Sequence, residues 1–285
     1  MLKTMKKFFF VLMILSIAFS CNDSNGVNST ENDLLKSLQT KGDLVVNGQS
    51  VIGAQQGFTN SNNKFDFVGK RHNQILTEFL EKRNGKRLRF TAGFNLATSV
   101  AYPYSKQANF KGLPSGRAGT AMSSSEFSLM SSNSLSFLDS SFVKNLSNKD
   151  TLRVKFSEVF DSFVNEGRIS ETNAKVAKVH LAQLINCPDL TTMLKLNNFY
   201  INEINNSNLS QVEKDAQLSY LAIFSYSLTF WYAEEGKVAA SGRKWWKWLV
   251  IGAADALGGF FSDPFLAAAV GGICSGVATD LLGDE

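Results

Sequence analysis

Residues 243–285 read RKWWKWLVIGAADALGGFFSDPFLAAAVGGICSGVATDLLGDE, and this stretch decides the fold. It opens with residues 243–248, which are basic and rich in tryptophan and which we call the basic knuckle, and it continues as a tail rich in glycine and alanine. The knuckle carries three of the chain's aromatic side chains, Trp245, Trp246 and Trp248. Tryptophan beside lysine and arginine is typical of an anchor at a membrane interface, so we expect these side chains to contact a membrane or a partner helix.

Small residues recur in the tail at four-residue spacing, as at Gly272 and Gly276. This spacing lets helix backbones approach closely, which predicts a helix-packing face. Asp263-Pro264 interrupts the tail. Proline cannot continue a helix and disfavours helical geometry in the residue before it, so the tail is predicted to be a helical hairpin.

The first 20 residues have the pattern of a secretory signal peptide. Three lysines precede an apolar run from Phe8 to Phe19 that is short for a membrane span. Ala18 and Ser20 stand just before Cys21 and resemble a bacterial lipobox, which implies that Cys21 becomes the acylated first residue. Plain secretion without a lipid is the alternative. In either case we expect the chain to be exported, and with the lipid we place it at the outer membrane in preference to the inner, facing the periplasm or the cell surface.

Charge argues against nucleic acid as a partner. Removing residues 1–20 takes away three lysines and no acid, so the mature net charge is (29 − 3) − 25 = +1. A phosphate-binding surface needs a clustered excess of Lys and Arg, and here the charges are mostly interspersed.

The predicted fold is mainly α, a helical bundle with a small irregular or short-stranded N-terminal part and the glycine-rich hairpin at its C-terminal end. Alternating apolar residues between Lys86 and Ala101 predict one or two short strands. The predicted segments, in order, are a signal peptide (1–20), a flexible tether (21–33), the N-terminal part (34–122), a serine-rich connector (123–141), the helical bundle (142–242) and the tail (243–285).

Helical periodicity is clearest in two places. Apolar residues from Lys64 to Arg83 recur at helical spacing, and Ser210 with Glu213 forms a capping box before a long periodic run. His72 and His180 lie among apolar residues in predicted helices, and neither has metal-type partners nearby in sequence. We therefore expect both to be hydrogen-bonded core histidines.

The sequence contains one partial match to a catalytic motif, and we reject it. Gly272-Ile273-Cys274-Ser275-Gly276 has the shape of a nucleophile elbow, but no histidine follows it, and helix packing explains its glycines. We expect no cofactor, no metal site and no enzyme activity. Cys187 and Cys274 are the only pair that could form an internal disulfide once Cys21 is acylated, and two free buried thiols are the alternative.

The predicted free energy of inserting the first arm of the tail into a membrane is close to zero. Asp255, near the centre of the first arm, costs about 3 kcal/mol in a bilayer, which cancels the gain from the apolar residues around it. We therefore favour a tail that packs into the helical body over one that enters a membrane by itself.

Several of these features occur together in known proteins. The lipobox-like start, the Gly-x-x-His-Asn element at residues 69–73, the helical middle with Asn-Leu-Ser at 208–210 and the glycine-rich tail resemble a loose group of uncharacterised bacterial envelope lipoproteins. Residues 245–283 alone are also similar to glycine-rich bacteriocin-like peptides, without the leader and double-glycine site of such peptides. Neither resemblance supplies catalytic residues.

The resulting expectation is a non-catalytic, lipid-anchored envelope protein. Its partners would be the membrane, through the lipid, and a helix-packing protein or a second copy of the chain, through the tail. The alternatives are a soluble periplasmic or surface binding domain whose tail is core and, last, a hydrolase.

Overall fold

The computed structural model describes residues 27–47, 60–106, 123–135, 149–237, 246–260 and 264–282. Within these ranges the chain forms ten α-helices and no strand. Their bounds are α1 (Val27–Asn47), α2 (Asp66–Arg83), α3 (Phe90–Lys106), α4 (Ser124–Ser134), α5 (Lys149–Asn165), α6 (Glu171–Leu184), α7 (Leu190–Asn206), α8 (Gln211–Lys237), α9 (Trp246–Leu257) and α10 (Pro264–Leu282). The mainly α prediction is confirmed.

The C-terminal hairpin, defined here as α9, the 3-10 turn Gly258–Phe260 and α10, lies at the centre of the body. Helices α2 and α8 pack on it, and α3 lies along α10. From Trp248 to Phe260 and from Ala267 to Ala278 every residue is buried. Helices α1, α6 and α7 pack together, and α7 and α6 join this group to α8. Among the described residues, no helix has the length and apolar character that a membrane span requires.

Local sequence explains two of the helix ends. Ser210 and Glu213 form the capping box before α8, because the Ser210 N–H donates to Glu213 Oε2 at 3.1 Å and the Glu213 N–H donates to Ser210 Oγ at 3.3 Å. Helix α2 ends at Asn84 in the left-handed conformation, with φ of 49°. Asparagine tolerates that conformation better than most residues, so it closes the helix.

The predicted strands between Lys86 and Ala101 are wrong, because α3 occupies most of that stretch. The alternation of large apolar residues suggested strands, but the buried positions follow a different pattern. They are Gly93, Ala97, Thr98, Val100, Ala101 and Ser105, and four of them, Gly93, Ala97, Ala101 and Ser105, are small and spaced by four. A face of small residues lets α3 lie close along α10, as the same spacing does within the tail.

Two further segment predictions need correction. The tether prediction (21–33) overlaps α1, which begins at Val27. The connector prediction (123–141) overlaps α4, which Ser123 and Glu126 cap with a complete capping box. Phe127 of α4 is fully buried and packs against Tyr102, with ring centroids 5.6 Å apart. Apolar side chains such as Phe127 thus pack this serine-rich segment onto the rest of the protein.

Candidate functional site: two buried polar clusters

One buried polar cluster joins four helices at the centre of the body. We call it the Asp255 cluster, and its members are His72 on α2, Ser227 and Trp231 on α8, Asp255 on α9 and Ser275 on α10. His72, Ser227, Asp255 and Ser275 have no exposed surface, and Trp231 is 4 % exposed. The apolar hairpin therefore carries a polar centre at the point where its two arms meet the rest of the protein.

A single carboxylate oxygen organises the cluster. Asp255 Oδ2 accepts hydrogen bonds from Ser227 Oγ and, at 2.7 Å, from Ser275 Oγ. The indole N–H of Trp231 donates to Ser275 Oγ at 3.0 Å. A typical intramolecular hydrogen bond contributes about 0.5–1.5 kcal/mol net, so these bonds help this oxygen to tie α8 and α10 to α9.

His72 completes the cluster from the side of α2. Its Nδ1 lies 3.0 Å from Asn73 Oδ1, and Asn73 Nδ2 donates to the Tyr226 carbonyl oxygen at 3.0 Å. The amide orientation this network assigns makes Asn73 Oδ1 an acceptor, so His72 Nδ1 carries a proton. His72 Nε2 then faces Asp255 Oδ2 at 3.3 Å.

Burial raises the pKa of Asp255, and the contacts with His72, Ser227 and Ser275 oppose that rise. Desolvation disfavours the charged form of a carboxyl group, whereas donors favour it. The dominant effect is burial. Asp255 is thus a group whose charge the fold disfavours, and its contacts with His72, Ser227 and Ser275 offset part of the cost.

The residue types are those of a hydrolytic triad, but the connections are different. In a Ser-His-Asp triad the histidine lies between the nucleophile and the acid. Here both Ser227 and Ser275 donate to Asp255, and His72 contacts Asn73 and Asp255. With all four of the Ser, His and Asp side chains fully buried, the arrangement can fix the positions of helices, and it presents no nucleophile to a substrate.

A second buried cluster lies between α6, α7 and α8. We call it the His180 cluster, and its members are His180, Asn197, Tyr220 and Ser225. His180 Nε2 donates to Asn197 Oδ1 at 2.5 Å, and His180 Nδ1 lies 3.1 Å from the Tyr220 hydroxyl. Asn197 Nδ2 donates to Ser225 Oγ at 3.0 Å. A neutral imidazole with the proton on Nε2 satisfies all of these contacts.

The surroundings of His180 keep it neutral. Burial lowers the pKa of His180 to about 3, and the hydrogen bond to Asn197 opposes the shift. The rings of Tyr200, Tyr220 and Phe224 lie 4.6, 5.6 and 5.5 Å from the imidazole, centroid to centroid. No carboxylate is among these contacts, so His180 has neither the exposure nor the partner that acid–base catalysis requires. The prediction that His72 and His180 are hydrogen-bonded core residues is confirmed.

The glycines predicted to form a packing face lie against α2 of the same chain. A Cβ at Gly272 would stand 2.5 Å from Ile75 Cγ2, and one at Gly276 would stand 3.1 Å from the Phe79 ring. The partner of this face is thus internal. Trp248, predicted to contact a membrane or a partner, is 8 % exposed and stacks on Trp231 with ring centroids 5.6 Å apart and planes 11° from parallel.

The remaining predicted site residues are placed as follows. Cys187 and Cys274 are both buried free thiols. Burial raises the pKa of Cys187 to about 12 and that of Cys274 well above its ordinary value, so neither is a reactive thiolate. Trp246 is the first residue of α9, while Trp245 and Cys21 lie outside the described residues.

A shallow polar groove lies on the outer face of α2. Its lining residues are Lys70, Asn73, Gln74, Thr77, Glu78, Glu81 and Tyr104. The Tyr104 hydroxyl donates to Glu78 Oε2 at 2.9 Å, and Lys82 Nζ donates to Glu78 Oε1 at 2.7 Å. The hydrogen bond from Lys82 is the main reason that the pKa of Glu78 is lowered. Asn73 belongs to this groove and also contacts His72, so the groove wall is joined directly to the Asp255 cluster.

Sequence reasoning did not find the Asp255 cluster. His72 was recognised as a core residue and Asp255 as an obstacle to membrane insertion, but nothing in their spacing links them. The available signal was a lone acid inside an otherwise apolar hairpin, since a buried carboxylate must find donors. In the part of the chain that the structure describes, no group of His, Cys, Asp and Glu residues could hold a metal ion. Comparison with protein families, with curated proteins and with solved structures found no match to this chain.

Proposed function

We propose that this chain is an exported, lipid-anchored and non-catalytic domain of the bacterial cell envelope, attached through Cys21 and built around its own C-terminal hairpin. The burial of the hairpin carries the proposal. Its apolar residues and its close-packing glycines are occupied by α2, α3 and α8, so the tail is the core of the body. Of the arrangements expected from the sequence, this supports an anchored domain whose tail is internal.

The geometry of the polar clusters supports the non-catalytic part of the proposal. The Asp255 and His180 clusters hold the buried Ser, His and Asp side chains that a hydrolase would need to expose. The hydrogen bonds of both clusters run mainly between different helices. Their role is to fix the positions of helices that apolar packing alone would leave free to slide.

The groove on α2 is the surface we propose for ligand binding. It combines one cation, Lys70, with two carboxylates, Glu78 and Glu81, and with the phenol of Tyr104. Lys70 pairs with Asp66, and Glu78 accepts from Lys82 and Tyr104, so this polar lining suits a polar ligand better than an apolar one. The anchored domain would then present the groove to such molecules in the periplasm or at the cell surface.

The anchor is tested by metabolic labelling with a palmitate analogue. We expect label on the wild-type protein, none on Cys21→Ser, and full label on Cys187→Ser, which removes a buried thiol and serves as the matched control. An unlabelled wild type, or label that persists in Cys21→Ser, would defeat the lipoprotein assignment.

The role of the tail is tested by ending the chain at Gly242. We expect this protein to lose its cooperative thermal transition, because α2, α3 and α8 would expose the surfaces that now cover the hairpin. A shortened protein that keeps a cooperative transition close to that of the whole chain would show that the tail is separable. Reaction of the whole chain with a fluorophosphonate probe checks the hydrolase alternative, and specific labelling of Ser227 or Ser275 would support that alternative.

A further inference from the structure

The start of α1 limits how far the folded body can stand from a lipid on Cys21. Six Cα-to-Cα steps separate Cys21 from Val27, the first residue of α1. An extended chain advances at most about 3.5 Å per residue, so these steps span about 21 Å at most. The sequence alone predicted a tether to residue 33, which would have given the body more freedom.

Described contacts connect the beginning of α1 to one particular end of the body. Glu31, in the second turn of α1, pairs with Lys175 Nζ at 3.0 Å and accepts from Thr172 Oγ1 at 3.3 Å. Both partners are in the first turns of α6. Ser170, which caps α6, contacts Glu213 of α8 at 3.4 Å. The first turns of α1, α6 and α8 therefore lie together, and we call this the α1 end of the body.

The opposite end of the body lies a full helix length away. Helix α8 runs from Gln211 at the α1 end to Lys237. Helix α9 runs antiparallel to it, since Gly259 faces Tyr220 while Trp248 stacks on Trp231. Trp246, at the start of α9, is thus at the end of the body remote from α1. Trp246 and Trp248, the tryptophans of the basic knuckle that the structure describes, are therefore at that remote end.

We propose that the α1 end is the surface that faces the lipid bilayer, and that the remote end, where α9 begins, points away from it. This inference rests on the proposed acylation of Cys21. The short link brings the α1 end within about 21 Å of the lipid in every orientation of the body. The remote end comes equally close only if the body lies flat.

The charges at the α1 end indicate that the link, and not attraction to lipid headgroups, sets this orientation. The charged residues in the first seven positions of α1, α6 and α8 are Glu31, Asp33, Glu171, Lys175, Glu213, Lys214 and Asp215. Five acids and two cations give a net charge of 2 − 5 = −3, and Lys64, which pairs with Asp215, brings it to −2. Such a surface has no electrostatic pull toward an anionic bilayer.

Two exposed residues on α8 make matched reporters. Val212 is 72 % exposed at the α1 end, and Tyr232 is 50 % exposed toward the remote end. Twenty residues of helix separate them, which is about 30 Å. The acylated full chain carrying Val212→Cys or Tyr232→Cys would be labelled with the same fluorophore, because Cys187 and Cys274 are buried. Each protein would be reconstituted in phosphatidylethanolamine and phosphatidylglycerol vesicles that contain a headgroup-attached quencher.

We expect at least twofold stronger quenching at position 212 than at position 232. Insertion of a 20-residue Gly-Ser segment after Gly26 should lower the quenching at 212 toward that at 232. Equal quenching at the two positions with the native link, stronger quenching at 232, or a contrast that the insertion leaves unchanged would each overturn the proposed orientation. Stronger quenching at 232 would indicate that the remote end, where α9 begins, faces the membrane. Palmitate labelling is measured first, so that a failure of the proposed anchor can be told from a failure of the proposed orientation. An unacylated chain would overturn both the anchor and the orientation. Equal quenching on an acylated chain would overturn the orientation alone.

Discussion

Acidification should destabilise this protein through His180 by an amount that can be worked out. The pKa of His180 falls from an ordinary 6.5 to about 3 in the folded state, because burial disfavours its charged form. A group whose folded pKa is lowered contributes stability above its unfolded pKa and loses it as the pH falls toward the folded value. Each pH unit below 6.5 therefore removes about 1.36 kcal/mol from the free energy of unfolding, down to pH 3.

Between pH 7.5 and pH 5 the loss from His180 alone comes to about 2 kcal/mol. The assay is urea unfolding at half-unit pH steps, on the wild type and on His180→Gln. The glutamine variant can keep contacts with Asn197 and Tyr220 but does not titrate. Other ionisable groups are common to both proteins, so they cancel in the difference between the two curves.

We expect the wild type to lose about 2 kcal/mol more than His180→Gln over this interval, whatever the absolute stability of the variant. A difference that stays constant from pH 7.5 to pH 5 would refute the reasoning. It would mean that the imidazole accepts a proton in the folded state as readily as in the unfolded chain. A chemical-shift titration of the His180 ring would then show a transition near its ordinary pKa.

Three further outcomes follow from the packing and the charges. The raised pKa of Asp255 means that its stabilising contribution is present below the unfolded carboxyl pKa and is lost as the pH rises. The free energy of unfolding of Asp255→Asn, minus that of the wild type, should therefore increase from pH 4 to pH 8, and a difference that stays constant or decreases in urea titrations would contradict this. Gly259→Ala would place a Cβ 2.5 Å from the Tyr220 Cα and should lower the free energy of unfolding by about 1–3 kcal/mol. Gly252→Ala, whose Cβ would stand 3.4 Å from Leu228, should be tolerated, and equal melting temperatures for the two variants would count against the close packing of the hairpin. Trp248→Ala removes the ring stacked on Trp231 and should cost about 3–5 kcal/mol in thermal unfolding, a loss that a membrane-facing tryptophan would not show.

Helices with one apolar face could be predicted from the sequence because their burial repeats along a single segment. The run from Lys64 to Arg83 and the capping box at Ser210 and Glu213 depend on neighbours within a few turns. Helix α3 was missed because its buried face is made of small residues such as Ala97 and Ala101, while the large apolar residues Phe94 and Leu96 remain half-exposed. A prediction based on the spacing of large apolar side chains therefore did not detect the buried face of this helix.

The polar clusters could not be predicted for a different reason. His72 and Asp255 are far apart in sequence, and only the packing of α2 against the hairpin brings them together. The sequence did show that the tail needed a dry partner, and the glycines at 272 and 276 showed how closely that partner would approach. It did not show that the partner would be α2, because any helix with a suitable groove satisfies the same spacing.

The central position of the hairpin also sets an order of events in the life of the chain. Helices α2, α3 and α8 are synthesised before α9 and α10, yet the surfaces they bury are covered by those last two helices. The earlier helices therefore cannot complete their packing until residue 282 has emerged. If the chain is exported unfolded, as we propose, this delay would keep it unfolded during passage, and folding would be completed after it.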